Sequence, residues 1–166
     1  IIAQNQIVFV VTNQVYAKMS GAFYGPDTET YGGGAIKYHA TIRIGLRFAG
    51  QLKPPGATPE DRVAPVGQLI EAKVVKNQIA APWRWRKYAL RYDAGIDNVW
   101  SLFEELRPHG VIEAAGSWFR LSQEVQDALG IETRAFHGGH FGLTELINEH
   151  PKLYPYLLKL YMEKRR

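Results

Sequence analysis

Cysteine is absent from the sequence, which excludes a disulfide framework, a thiolate metal site and a cysteine nucleophile. No apolar run reaches the ~18 residues that a membrane helix requires, and no basic, cleavable signal pattern opens the sequence. Internal repeats, low-complexity stretches, paired carboxylates and any Ser-His-Asp grouping are missing too. What remains is 46% hydrophobic and 22% charged, a globular composition and not a disordered one. Its 166 residues suffice for one domain of usual size, or one and a half small ones. These features together read as a cytoplasmic protein with no membrane partner.

The net charge of +4 is unevenly spread. Residues 1–95 hold twelve Lys/Arg against six Asp/Glu, whereas residues 96–166 hold eight against ten. A basic first part fits a polyanionic partner; ordinary surface charge gives the same count.

Ile7-Val8-Phe9-Val10-Val11 is a continuous β-branched and aromatic run, the pattern of a strand buried on both faces of a parallel sheet. The sequence opens at Ile1 and no second run of this kind follows, so flanking strands are expected on the N-terminal side. A loop of about 20 residues, Asn13 to Gly34, is rich in Gly, Thr and Tyr and long enough to be functional. A short helix is predicted over Ala35–Ala40, then a strand over Thr41–Arg47. Pro54, Pro55, Pro59 and Pro65 mark residues 51–66 as an exposed turn or insertion. Strands are predicted over Gln68–Lys76 and Arg86–Tyr92, with Ala81-Pro82 breaking the chain between them. From Asp97 the period becomes helical: Val99, Leu102, Phe103 and Leu106 share a face, with Asp97 placed as cap. Short strands around Val111–Ile112 and Ser117–Leu121 follow, then helices near Ser122–Leu129, Leu143–His150 and Lys152–Arg166.

Two clusters have competing readings. Trp83-Arg84-Trp85-Arg86-Lys87 alternates aromatic and basic residues like a nucleic-acid patch, but period two equally gives an ordinary half-buried strand, and the ordinary strand is preferred. His137-Gly138-Gly139-His140 offers two imidazoles without a nearby carboxylate cluster, so it reads as a glycine-rich turn and no metal site is expected.

Five motifs in order resemble the bacterial RecA-type recombinase family. They are Phe9-Val10-Val11-Thr12-Asn13-Gln14 with Gly32-Gly33-Gly34-Ala35-Ile36-Lys37-Tyr38; Val74-Val75-Lys76-Asn77-Gln78-Ile79-Ala80-Ala81-Pro82; Tyr92-Asp93-Ala94-Gly95-Ile96; and Ala115-Gly116-Ser117-Trp118-Phe119. The resemblance covers about residues 7–120, and Arg120–Arg166 matches loosely. It implies an α/β fold: a partial RecA-like ATPase core over residues 1–96, a mixed sheet without its N-terminal strands, then a small α+β C-terminal domain over residues 97–166. The aromatic replacements and the proline-rich insertion are similar to a bacteriophage-encoded relative.

The resemblance also implies roles. Gln14 becomes the sensor linking the terminal phosphate of ATP to the loop behind it, although a strand-end Gln can simply satisfy backbone groups. The loop at residues 15–34 becomes the DNA-binding loop: Lys18 pairs with phosphate, Gly32 and Gly33 allow close backbone approach, and Met19 and Phe23 insert among bases. Tyr16 stands where the family usually has Arg. Lys76 reaches the ATP bound by the next subunit and neutralises charge on the transferred phosphoryl group, with Gln78 replacing the family's second Lys. Tyr92 lies beside adenine with Gly95 allowing a close turn; Lys37, Tyr38 and Arg43 contact the neighbouring protomer. The implied partners are single- and double-stranded DNA and further copies in a helical filament, with ATP and Mg2+ as cofactors of the intact family protein. The chain has no G-x-x-x-x-G-K-[ST] stretch, so no ATP turnover is expected from it alone. A DNA-binding or regulatory fragment without ATPase activity is the alternative, and an incomplete product without activity a third.

Overall fold

The computed structural model describes residues 7–17, 28–32, 34–58, 60–132 and 135–164. Strands β1 (Val15–Ala17) and β2 (Thr28–Thr30) pair antiparallel, and helix α1 (Gly34–His39) follows. A four-stranded sheet comes next, in the order β3 (Ile42–Leu52), β4 (Gly67–Asn77), β5 (Trp85–Arg91) and β6 (Gly95–Asp97). Its neighbours are consecutive and joined without a crossover helix, so every pairing is antiparallel, whereas a mixed sheet was expected. Three of the strands form close to the predicted positions, β3 running further, and β6 is additional.

The longest connection in this sheet, residues 53–66, has internal order. Lys53 Nζ donates to the carbonyls of Thr58 and Asp61, both at 2.9 Å, and the Asp61 carboxylate accepts from the Thr58 amide. At the start of β4, a Cβ on Gly67 would run into the Leu90 carbonyl oxygen, so only glycine lets the strands approach this closely.

The segment Ile7–Val11 departs from expectation. It is neither a strand nor buried: all five side chains are exposed, Val8 at 84%. Pairing requires a neighbour as well as a strand-forming composition, and no described strand pairs with it. One row of the edge strand β3 is exposed in the same way, comprising Ile42, Ile44, Leu46 and Phe48.

The main core lies elsewhere. Among the described residues, twelve of the fourteen buried hydrophobic residues form one cluster drawn from residues 102–157, leaving Leu52 and Ala89 on the sheet. Helix α2 (Asn98–Leu106) contributes Leu102, Phe103 and Leu106 to the cluster. A sheet of β7 (Ile112–Ala115), β8 (Trp118–Leu121) and β9 (Phe136–His137) supplies Ile112, Leu121 and Phe136. Helices α3 (Gln123–Leu129), α4 (His140–Glu149) and α5 (Leu153–Lys164) close it with Val125, Leu143, Leu146, Leu153 and Leu157. Helix α2 also packs on β5, and Glu105 near its end meets Arg86 at 3.0 Å. No helix among the described residues is long and apolar enough to cross a membrane.

Candidate functional site

The loop base is assembled from backbone and one amide. Val15 pairs with Thr30, the rings of Tyr16 and Tyr31 lie 4.8 Å apart, and Asn13 Nδ2 donates to the Tyr31 carbonyl at 2.7 Å. Gln14 sits exposed beside this bond. Gly32 then turns with φ +86°, a left-handed value in which a Cβ would also press on Ile36. Lys18, Met19, Phe23 and Gly33 lie outside the described residues.

Helix α1 leaves this turn and ends against β4. Lys76 Nζ donates to the carbonyls of Lys37 at 3.2 Å and Tyr38 at 2.7 Å, in the last turn of α1. A cation there satisfies carbonyls without an intrahelical partner and meets the negative end of the helix dipole. Arg43 lies directly across from Lys76 in the β3–β4 register, half-buried, while the Tyr38 ring stands 80% exposed. The fold therefore brings Lys37, Tyr38, Arg43 and Lys76 to one corner. Beyond it, Asn77 Oδ1 accepts from the amides of Ile79 and Ala80, at 2.9 and 3.1 Å, and the Gln78 amide donates to the Thr41 carbonyl. Gln78 is exposed and belongs to the same corner. Asn13 and Asn77 were not singled out as site residues. Each stands beside a motif glutamine, and the tendency of Asn to bond nearby backbone was the available signal.

Tyr92 and Gly95 sit at the other end of the sheet. Gly67 pairs with Arg91, so nine residue steps of β4 separate them from Lys76, about 30 Å at ~3.3 Å per residue. Tyr92 is 64% exposed and Gly95 turns with φ +79°, with open space where a Cβ would be. Between them Asp93 accepts two hydrogen bonds from Arg91, at 3.0 and 2.6 Å, which hold its carboxyl below the ordinary range. A single chain thus brings Lys76 and Gln78 together and keeps Tyr92 at the opposite end of β4.

Behind this end, Asp97 Oδ1 accepts from the Trp100 amide at 2.9 Å and caps α2, as expected from the sequence. Its Oδ2 lies 3.8 Å from His140 Nε2, a buried nitrogen without a hydrogen-bond partner. Burial pushes the His140 imidazole below its usual range; Asp97 opposes this and the charge of Arg91 adds to it. His137 instead packs its ring edge-on against Trp118, so the two imidazoles of the glycine-rich turn serve different neighbours.

The tryptophans at the start of β5 differ from the half-buried strand expected there. Trp83, just before β5, is 65% exposed and Trp85, its first residue, 52% exposed. Trp83 has φ +68°, which breaks the alternation.

The architecture is α/β with antiparallel sheets, and it carries the motifs in their sequence order. Residues 1–97 match the family model described as the RecA N-terminal domain, and the chain belongs to the RecA family. It is 30% identical over 162 residues to the protein RecA of Paracoccus denitrificans, covering 87% of this chain and 43% of that protein. It is 33% identical over 153 residues to RecA of Zymomonas mobilis, covering 89% and 40%. With RecA of a Methylobacterium species the identity is 31% over 134 residues, covering 78% and 35%. The chain therefore spans less than half the length of these relatives.

Proposed function

We propose that the chain is part of a RecA-like DNA recombinase that binds single-stranded DNA, assembles with further copies into an ATP-dependent helical filament and promotes homologous strand exchange. Family membership supports this, and one observation carries it: Lys37, Tyr38, Arg43 and Lys76 meet at a single corner, directly behind the turn that closes the loop. On this reading residues 1–96 are the C-terminal half of the core and residues 97–166 the C-terminal domain. Loop residues 15–34 take the DNA, Lys18 at phosphate and Met19 and Phe23 among bases, with Gln14 reporting nucleotide state at the loop base.

Tyr92 with Gly95 would hold the adenine of one ATP, and Lys76 with Gln78 the phosphates of another bound by the next copy. The 30 Å or so between the two ends, nine strand steps, supports this division. ATP bound there supplies the phosphoryl group whose developing charge a cation steadies. No three Asp, Glu, His or Cys side chains converge among the described residues, so Mg2+ fits the triphosphate better than a carboxylate cage built from them.

The test is binding of labelled oligo-dT by the 166-residue chain across a salt series. Lys18→Ala should lower the salt slope by roughly 0.7, the single-strand value for one phosphate contact. Phe23→Ala should leave the slope unchanged while weakening binding by about 1–3 kcal/mol. Binding indifferent to both substitutions would remove the loop from the reading.

A further inference from the structure

The glycine-rich turn ahead of α4, and α4 itself, border a hollow that the proposed function leaves unused. It measures about 330 Å³, and its wall includes Trp118, Phe136, His137, Phe141, Glu145 and Glu149. That volume is within the range of small-ligand sites. Gly142 sets its shape: a Cβ there would run into the His137 carbonyl oxygen, so only glycine lets α4 lie this close to β9. Pro55, from the connection between β3 and β4, adds to the wall.

The wall has two chemical halves. One is aromatic: Trp118 is 52% exposed, and its ring stands edge-on to that of His137 at 5.5 Å. The other is acidic. Glu145 and Glu149 lie four residues apart on α4, a spacing at which like charges repel. They occupy the half of the helix nearest its negative end, where a carboxylate is least favoured, and no basic residue stands in the last turn. No lysine or arginine among the described residues lines the hollow. Glu145 is exposed and forms no ion pair or hydrogen bond among the described residues, so its charge is left to be met beside an open aromatic face.

This chemistry narrows the ligand. The carboxylates repel phosphate and nucleic acid. A bare metal ion finds too few ligands, since no three Asp, Glu, His or Cys side chains converge among the described residues. An organic cation meets both halves, its charge at the carboxylate and its body on the ring. Among such cations the guanidinium fits best, because its fork pairs a carboxylate through two parallel hydrogen bonds and its flat face stacks on an indole.

We propose that the hollow between Trp118 and α4 binds a guanidinium group, the side chain of an arginine on another molecule. This goes beyond the proposed function, since it involves neither DNA nor ATP.

The experiment follows the indole and backbone N–H signals of the isotope-labelled 166-residue chain by NMR. N-acetylargininamide, its uncharged counterpart N-acetylcitrullinamide and a glycine-flanked arginine peptide are added in turn, and Trp118→Phe identifies the Trp118 indole. Both arginine compounds should shift that indole and the amides of residues 141–149 saturably, with Kd on the order of 1–10 mM for so small a ligand, while citrullinamide should not. Glu145→Gln removes charge from an exposed position and should weaken binding about fivefold, the upper range for an exposed ion pair. Tighter binding of the peptide assigns the site to an arginine within a chain and equal binding to free arginine; either supports the site. Equal shifts by citrullinamide would leave apolar contact alone and overturn the inference. So would binding indifferent to Glu145→Gln, shifts confined to residues outside the hollow, or no shift at tenfold higher concentration. Binding that emerges only in Arg134→Ala would make the chain's own arginine the occupant and overturn it as well.

Discussion

Lys76→Met removes a charge while keeping most of the aliphatic stem, and it isolates what the ammonium does for α1. That helix has six residues, none of them buried, and is far below the length at which an isolated helix persists. Its attachment rests largely on Lys76, whose Nζ reaches two carbonyls of the last turn. A hydrogen bond to a charged group contributes about 1.5–3 kcal/mol, and a cation at a helix C-terminus about 0.3–1 kcal/mol. Lys76 is only half-buried, so the lower part of that range applies and a local loss of about 1–2 kcal/mol is expected. That corresponds to amide exchange roughly 5–30 times faster over the last turn of α1. Hydrogen exchange resolved over residues 36–40 against β4 and α2 is the measurement. Unchanged exchange there, or equal acceleration throughout, would show that Lys76 does not hold the helix. On the proposed function a phosphate on the next copy competes with these carbonyls for the same cation. The helix that closes the DNA loop would then register the nucleotide through Lys76.

Asp97→Ala should destabilise the chain by about 1 kcal/mol in urea unfolding, because it orphans the Trp100 amide, whereas Asp97→Asn retains a cap and should cost less. Equal losses would shift the weight from the cap to the His140 contact. His140 gives a pH dependence of fixed sign. Its folded pKa lies below the ordinary imidazole value of about 6.5, so the unfolded chain binds the proton first. The stability it contributes is complete above 6.5 and declines as pH falls through and below that value, by at most about 1.4 kcal/mol per pH unit. His140→Gln should flatten this part of the unfolding profile.

What could be read from the sequence was local. The Asp97 cap, the helical face of Val99, Leu102, Phe103 and Leu106, and the strands around Ile44, Lys73 and Tyr88 each announce themselves within a few residues through period and capping chemistry. Ile7–Val11 shows the limit of that method. Composition records a capacity to pair, while pairing depends on a neighbour that the run itself does not specify. The conformation of Trp83 was hidden for a related reason: alternation assumes an unbroken strand, and one left-handed residue after Ala81-Pro82 changes which way the indole points. The two-residue strand Phe136–His137 is too short to carry any period.

The corner around Lys76 belongs to a third category, legible in its parts and not in its assembly. The motifs mark Lys37, Tyr38, Arg43 and Lys76 one by one, but Lys76 reaches Tyr38 across 38 residues of sequence through the β3–β4 register. Two irregularities in that register, near Arg43 and Phe48, mean that counting residues back from the turn would misplace the partner of Lys76. The same register fixes the distance to Tyr92, because every residue of β4 between Gly67 and Lys76 adds its rise to the gap. On the proposed function, a shorter β4 would let one chain reach one nucleotide with both ends, whereas eleven residues would put the ends on separate nucleotides and make a second copy part of the site. The length of a single strand is therefore what, on that reading, calls for a neighbouring copy.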